Sequence, residues 1–152
     1  MSLIGDISSN VTLVAEKLSD YDDWLEKAAP IFEMENKKLE QLCREHPKAL
    51  VFYDKKLREL KMLEDLVQKK INEIESVHWK RYTEKYQRTL NNTDIKVYIK
   101  GEEDYKLMTE VLMEVGLVRQ QYEAVVDGLK QMGWTLNNIV KLRVAQLELV
   151  EL

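Results

Sequence analysis

The sequence is poor in the residues that interrupt helices or cross-link chains. Only five glycines and two prolines occur among 152 residues, and neither occurs between Lys48 and Lys100. A single cysteine, Cys43, excludes an intramolecular disulfide and fits a reducing cytoplasm. No apolar run reaches 18 residues, so no membrane span is predicted. The first residues lack a basic segment followed by an apolar core, so we expect no secretory signal.

The motifs of catalytic and cofactor sites are also missing. No glycine-rich phosphate loop occurs, which argues against an ATPase or a dinucleotide site. His46 and His78 have no second His or Cys at metal-ligand spacing. Cys43 lacks the partners that a catalytic nucleophile requires. We therefore predict a non-enzymatic protein without a cofactor or metal site.

The chain has strong helical periodicity. Its abundance of Leu, Lys and Glu predicts an all-α protein. Its length predicts one domain, 1–152. From Lys48 to about Leu90, apolar residues recur at steps of three and four, interrupted only at Glu64: Leu50, Tyr53, Leu57, Leu60, Val67, Ile71 and Ile74. A helix of that length spans roughly 60 Å, whereas a compact domain of this size is about 40 Å across. Either the helix breaks, or the protein is elongated and buries a coiled-coil-like seam against other chains. We favour the second.

The flanking segments predict further helices. Residues 1–18 form either a short helix or a loose segment, and Asp20 is the predicted N-cap of a helix reaching Glu45. Its apolar face comprises Trp24, Ala28, Phe32, Leu39 and Leu42. Pro30 predicts a kink or a restart of the helix near Ala29, and Pro47 is predicted to end this helix and begin the long one.

Beyond the long helix, Asn91 to Asp94 predict a break that caps a short helix through Lys100, although Ile95 to Ile99 also alternate as a strand would. From Asp104 a regular seam follows: Met108, Val111, Val115, Val118, Tyr122, Val125, Leu129 and Met132. Gly116 and Gly128 within it suggest close packing, Gly133 predicts a helix end, and Thr135 or Asn137 would begin a last helix. We predict that the seam and that helix join chains into a homo-oligomer through Val111, Val115, Val118, Tyr122, Val125, Leu129, Trp134, Leu136 and Ile139.

The net charge of −4 conceals a basic middle between acidic ends. Residues 1–36 carry two basic and eight acidic side chains, residues 37–100 carry sixteen and ten, and residues 101–152 carry five and nine. Basic side chains interleaved with aromatic rings are how single-stranded nucleic acids are held without sequence preference. The candidate DNA-binding residues are Lys48, Phe52, Tyr53, Lys55, Lys56, Arg58, Lys80, Arg81, Lys85 and Arg88. The alternative is that the tyrosines are core residues and the charges a solvated face laced with ion pairs.

Four blocks of the sequence resemble the UvsY family of recombination mediators from T-even phages and cyanophages. The first is Tyr21-x-x-Trp24-Leu25-x-Lys27, and the second is Lys48-Ala49 followed by Phe52-Tyr53. The third comprises Arg81-Tyr82 and Lys85-Tyr86 before Asn91-Asn92. The fourth is Leu129 to Trp134 followed by Ile139 and Leu142-Arg143. The family's basic run continues with an arginine where this chain has Leu50, so Lys55, Lys56 and Arg58 are the expected replacements.

The resemblance implies a mediator that binds single-stranded DNA and hydrolyses nothing. Family members contact the phage single-strand-binding protein and the RecA-like recombinase, and they help the recombinase replace that protein on the strand. They assemble as rings of about six or seven subunits, with C-terminal helices important for assembly. It further implies work in the cytoplasm of an infected bacterial host, with residues 20–100 binding DNA and 102–152 assembling the oligomer. The alternative is a coiled-coil scaffold or adaptor without a nucleic-acid role.

Overall fold

The computed structural model describes residues 11–85 and 90–150, and it is all-helical over these ranges. The chain forms helix α1 (Val11–Glu26), a 3-10 turn (Ala29–Phe32), and helices α2 (Leu39–Glu84), α3 (Asn92–Lys100) and α4 (Glu103–Val150). None of the described helices is long and apolar enough to cross a membrane. The all-α prediction is thus confirmed. Arg88 lies outside the described residues.

The helices build two compact units. Of the described residues, the first unit contains 11–18 and 60–118, and the second contains 19–59 and 119–150. Both long helices, α2 and α4, contribute to each unit. The units therefore cut across the predicted division into residues 20–100 and 102–152.

The N-terminal region differs from its prediction. Asp20 caps no helix, because α1 begins at Val11 and continues through Asp20 to Glu26. The break predicted at Pro30 is confirmed: Pro30 lies in the first positions of the 3-10 turn, where its missing N–H is tolerated. The residues interpreted as one helical face, Trp24 to Leu42, belong to several separate elements.

Pro47 neither ends nor begins a helix, contrary to the prediction. It lies inside α2, which is continuous from Leu39 to Glu84. A proline at such a position removes one backbone hydrogen bond and costs about 3 kcal/mol. The side chains of Leu42 and Tyr53, before and after it, are both buried. Packing on either side of Pro47 therefore holds the helix together despite the local cost.

Gly133 is likewise not a helix end. Helix α4 runs through it to Val150, and no described glycine has a positive φ. A Cβ at this position would lie 2.9 Å from Cε1 of His46. The His46 ring is fixed because its Nε2 lies 2.5 Å from the Leu129 carbonyl oxygen. Gly133 therefore provides room for an imidazole rather than a turn.

A pair of glycine substitutions tests this assignment. Gly116→Ala should stabilise the protein by about 0.5–1 kcal/mol, since alanine favours helix and the nearest atom to the new Cβ, Oε2 of Glu64, is 3.9 Å away. Gly133→Ala should destabilise it, because His46 must move away from the Leu129 carbonyl. Denaturant unfolding measures whether each substitution raises or lowers the free energy of unfolding. A stabilising Gly133→Ala would show that the His46 contact is dispensable.

Most apolar positions of the predicted seam in α2 are buried within the chain, while Leu50 and Ile74 are half-buried. Tyr53, Leu57, Leu60, Val67 and Ile71 are buried. Leu63 is buried at the interruption by Glu64, so the row continues where the sequence indicated a gap. It also continues through His78 and Tyr82, beyond its predicted end. In the first unit, Tyr82 forms a cluster with Ile95 and Ile99 of α3.

The short helix after Asn91 is confirmed as well. Asn91 is its N-cap, and its side-chain oxygen accepts a hydrogen bond from the Asp94 amide at 2.8 Å. Residues 94–100 are therefore helix and not strand. The Asn91 cap satisfies the Asp94 amide, which has no acceptor within the first turn of the helix.

The seam of α4 is buried in the single chain. Six of the nine residues predicted to join subunits have little exposed surface: Val111, Val115, Val118, Tyr122, Leu129 and Leu136. The core residue after Tyr122 is Val126, while Val125 and Ile139 are half-buried. Trp134 is 74% exposed. Residues of their own chain therefore cover these six side chains, and a subunit contact through this seam stays a prediction.

Candidate nucleic-acid interface

Three buried tyrosines form the frame of the second unit. The Tyr122 hydroxyl donates to the Tyr21 carbonyl oxygen at 2.7 Å, and the Tyr53 hydroxyl donates to the Trp24 carbonyl oxygen at 2.8 Å. The Tyr21 hydroxyl donates to Oε2 of Glu59 at 2.8 Å. These bonds join the end of α1 to α2 and α4, and they satisfy the hydroxyls of the three tyrosines.

The frame positions a group of rings at the surface of the second unit. The Trp24 and Phe52 rings meet edge to face with centroids 5.8 Å apart, and Phe52 meets Tyr53 at 5.1 Å. The Lys56 ammonium lies 4.3 Å from the centroid of the Trp24 ring, within the range of a cation–π interaction. Phe52 remains 38% exposed. One aromatic ring is thus held by packing and still open to solvent.

Basic side chains flank the exposed ring of Phe52. Lys48 and Lys55 are exposed one turn before and one turn after it, on the same side of α2 by helical spacing. Arg58 is also exposed, and its Nε lies 3.0 Å from Oδ2 of Asp54. We call Lys48, Phe52, Lys55 and Arg58 the basic-aromatic face. It has the two components of a non-specific single-strand site, cations and a stacking surface.

Two residues predicted to bind DNA have other roles in the structure. Tyr53 is 3% exposed and hydrogen-bonded, so its ring cannot stack on a base, as the core alternative anticipated. Lys56 lies over Trp24 and 3.3 Å from Oε2 of Glu59, with 16% of its side chain exposed. The Lys56 charge therefore interacts mainly with Trp24 and Glu59 of the same chain.

The remaining candidates that the structure describes lie in the first unit. Lys80, Arg81 and Lys85 are exposed, but Arg81 forms an ion pair with Glu102. The pKa of the Glu102 carboxyl is lowered by hydrogen bonds from Tyr82 and then Arg81. The Arg81 guanidinium lies 5.0 Å from the centroid of the Tyr82 ring, but that ring is buried, whereas the Phe52 ring is open to solvent. A half-exposed ring that the sequence did not indicate, Tyr98, stacks on Tyr82 with centroids 5.7 Å apart.

Two blocks that carry the family resemblance meet in the second unit. Trp24 of the first block contacts the Phe52 ring of the second edge to face, and its carbonyl oxygen accepts a hydrogen bond from the Tyr53 hydroxyl. Leu50, which stands where the family has an arginine, is half-buried. An arginine there would have its stem against the protein, so its loss removes one charge without exposing a new apolar surface.

The tyrosine frame predicts sensitivity to alkali. Burial, and for Tyr21 also the neighbouring Glu59 carboxylate, raises the pKa of Tyr21 and of Tyr122 far above 10. A raised folded-state pKa stabilises the fold below the unfolded value of about 10, and this contribution is lost as pH rises further. We expect unfolding, followed by circular dichroism, to begin above pH 10 together with tyrosine ionisation. Ionisation of all seven tyrosines at an unchanged helix signal would contradict the frame.

Comparisons of the chain with protein-family models, with curated proteins and with solved structures find no match.

Proposed function

We propose that the protein is a recombination mediator that binds single-stranded DNA through the basic-aromatic face. The observation that carries the proposal is the exposed Phe52 ring, packed against Trp24 and flanked by Lys48 and Lys55. The ring packs against Trp24 and Tyr53 on one side and is 38% exposed, and exposed lysines lie one turn before and after it. It is suited to stacking on a base whose phosphates the lysines contact.

The mediator role adds the partners that the family resemblance implies. A mediator holds a strand covered by single-strand-binding protein and helps a RecA-like recombinase to replace that protein. In this proposal the basic-aromatic face supplies sequence-independent affinity, because phosphate contacts and stacking depend on no particular base. The chain hydrolyses nothing in this mechanism.

Assembly into a homo-oligomeric ring belongs to the same proposal, with a revised surface. The last part of α4 presents exposed apolar side chains at Trp134, Leu142, Val144 and Leu147. Large exposed apolar side chains in one segment indicate a contact surface. We therefore assign subunit contact to this segment rather than to the buried seam. A ring would bring several basic-aromatic faces to one strand and multiply their affinity.

A scaffold without a nucleic-acid role is the competing function. The observation in its favour is that Lys56, Arg58 and Arg81 each pair with a carboxylate of the same chain. Such pairs are typical of a solvated helix surface.

Binding of a fluorescent oligothymidine at a series of salt concentrations separates the two functions. The mediator predicts saturable binding whose log affinity falls linearly with log salt, by about 0.7 for each phosphate contact on a single strand. A scaffold predicts no saturable binding at low salt. Given binding, the mediator should also shorten the lag of recombinase assembly on strands covered by the single-strand-binding protein.

A further inference from the structure

His78, Glu102 and Asp104 come together in the first unit although they are distant in sequence. Their ligand atoms all lie within 4.8 Å of one another. His78 is in α2 and is only 8% exposed. Glu102 precedes α4, and Asp104 lies in its first turn. The fold thus builds a cluster of one imidazole and two carboxylates that no spacing in the sequence indicates.

Asp104 fixes the orientation of the His78 ring. Nε2 of His78 lies 2.8 Å from Oδ1 and 3.1 Å from Oδ2 of Asp104. The Tyr105 amide donates to the same Oδ1 and holds the carboxylate in place. When Nε2–H donates to Asp104, the neutral ring carries its lone pair on Nδ1. A carboxylate that accepts from one ring nitrogen in this way accompanies most histidines that bind a metal through the other.

Nδ1, the other ring nitrogen of His78, takes no part in the contact with Asp104. It is buried and has no hydrogen-bond partner in the described chain. The nearest carboxylate oxygen, Oε1 of Glu102, is 4.0 Å away. That gap is too long for a hydrogen bond, which spans about 2.7–3.2 Å. A tetrahedral zinc ion holds a nitrogen and an oxygen ligand roughly 3.4 Å apart, because each bond is about 2.0–2.2 Å. The Glu102 carboxylate would therefore have to approach Nδ1 by less than about 1 Å for both groups to bind one ion.

We propose that Nδ1 of His78 and the carboxylate of Glu102 bind a divalent transition-metal ion, with Asp104 as a positioning residue. An imidazole together with a carboxylate suits Zn²⁺ better than Mg²⁺ or Ca²⁺, which prefer oxygen ligands alone. Only two protein side chains are ligands, so water completes the coordination. Binding should be weaker than at structural zinc sites with four protein ligands. The ion would fasten α2 to the start of α4.

Arg81 opposes the ion and so provides a distinctive test. Its guanidinium pairs with Oε1 of Glu102, which also accepts from the Tyr82 hydroxyl at 2.5 Å. A fixed positive charge beside a ligand carboxylate lowers its affinity for a cation. Arg81→Gln should therefore tighten metal binding, although it removes an ion pair. A purely structural cluster predicts no such gain.

The experiment is calorimetric titration of ZnCl₂ into the full-length, tag-free protein after removal of metal with a chelator. We expect one saturable site per chain, a loss of at least tenfold in His78→Gln, and a loss of about 10- to 100-fold in Asp104→Asn. Asp104 has 55% of its side chain exposed, so that variant should keep its fold even if His78→Gln does not. Binding that is absent at millimolar ZnCl₂, or unchanged in Asp104→Asn, would overturn the proposal.

Cys43 and His46 lie one turn apart on α2, contrary to the prediction that His46 has no Cys at metal-ligand spacing, so this pair could also attract zinc. Cys43→Ser serves as the control and should leave the titration unchanged; loss of binding in that variant would assign the ion to Cys43. Nitrogen NMR of the two imidazoles gives a readout independent of stability. Zinc should shift Nδ1 of His78 and leave His46 unaffected, and the reverse pattern would contradict the site.

Discussion

Replacing Lys48, Lys55 and Arg58 together by alanine should flatten the salt dependence of single-strand binding. If each side chain contacts one phosphate, the slope of log affinity against log salt should fall by up to about 2. The loss should be similar for every base composition, because phosphates carry no sequence information. The fold should survive, since all three side chains are exposed and the Arg58–Asp54 pair is worth only a few tenths of a kcal/mol.

A control variant with the same loss of charge isolates the effect of position. Lys69, Lys70 and Lys96 are exposed in the first unit, and their replacement by alanine removes three positive charges from outside the basic-aromatic face. This control should lower the affinity slightly and keep the wild-type slope. Equal slopes in the two triple variants would mean that binding reflects only net charge.

Phe52 should contribute in a different way. Phe52→Ala should weaken binding by about 1–3 kcal/mol if one base stacks on the ring, with little change in salt slope. Val51→Ala is the matched control, because Val51 is an exposed apolar neighbour without an aromatic face. Phe52→Tyr should restore affinity. A Phe52→Leu variant that binds like wild type would show that apolar packing, not stacking, is the function of the ring.

The other large expected effect concerns the seam of α4. Val115 is fully buried, and Val115→Asp should cost roughly 2–7 kcal/mol because it places an unpaired polar group in the core. Total stability of a domain is only about 5–15 kcal/mol. We therefore expect the variant to lose helix content at 37 °C, rather than to become a folded monomer. Circular dichroism and sedimentation together distinguish these outcomes.

Leu142→Asp is the counterpart at an exposed position of the same helix. Leu142 is 64% exposed, so the substitution should leave helix content unchanged. If the last part of α4 joins subunits, sedimentation should show smaller assemblies at equal protein concentration. If Val115→Asp gave a folded monomer and Leu142→Asp assembled fully, the subunit contact would lie at the seam of α4 and not at the last part of the helix.

The elements of the fold were predictable where a local signal decides them. The period of Tyr53, Leu57 and Leu60 identified core positions, and Asn91 identified a cap. The predicted helix ends at Pro47 and Gly133 were wrong because packing overrides the intrinsic preferences of these residues. Buried neighbours hold α2 together at Pro47, and Gly133 accommodates the His46 ring. Periodicity also cannot distinguish a partner in the same chain from one in another, so it does not predict that residues of the same chain cover Val115 and Tyr122.

The candidate site was predictable in part for the same reason. Helical spacing placed Lys48, Phe52 and Lys55 on one side of α2. The burial of Tyr53 and the position of Lys56 over Trp24 depend on a residue about thirty positions away in the sequence. The cluster around His78 was invisible for a similar reason, because its carboxylates follow an intervening helix.

Photo-crosslinking tests the central claim most directly. An oligothymidine carrying 5-iodouridine couples on irradiation to aromatic side chains that stack on its bases, and mass spectrometry of the tryptic digest locates the adduct. Our account predicts an adduct in peptide 49–55, on the exposed Phe52 and not on the buried Tyr53. It should disappear at high salt. An adduct confined to peptides that carry Tyr98 or Trp134, with none on Phe52, would contradict DNA binding by the basic-aromatic face.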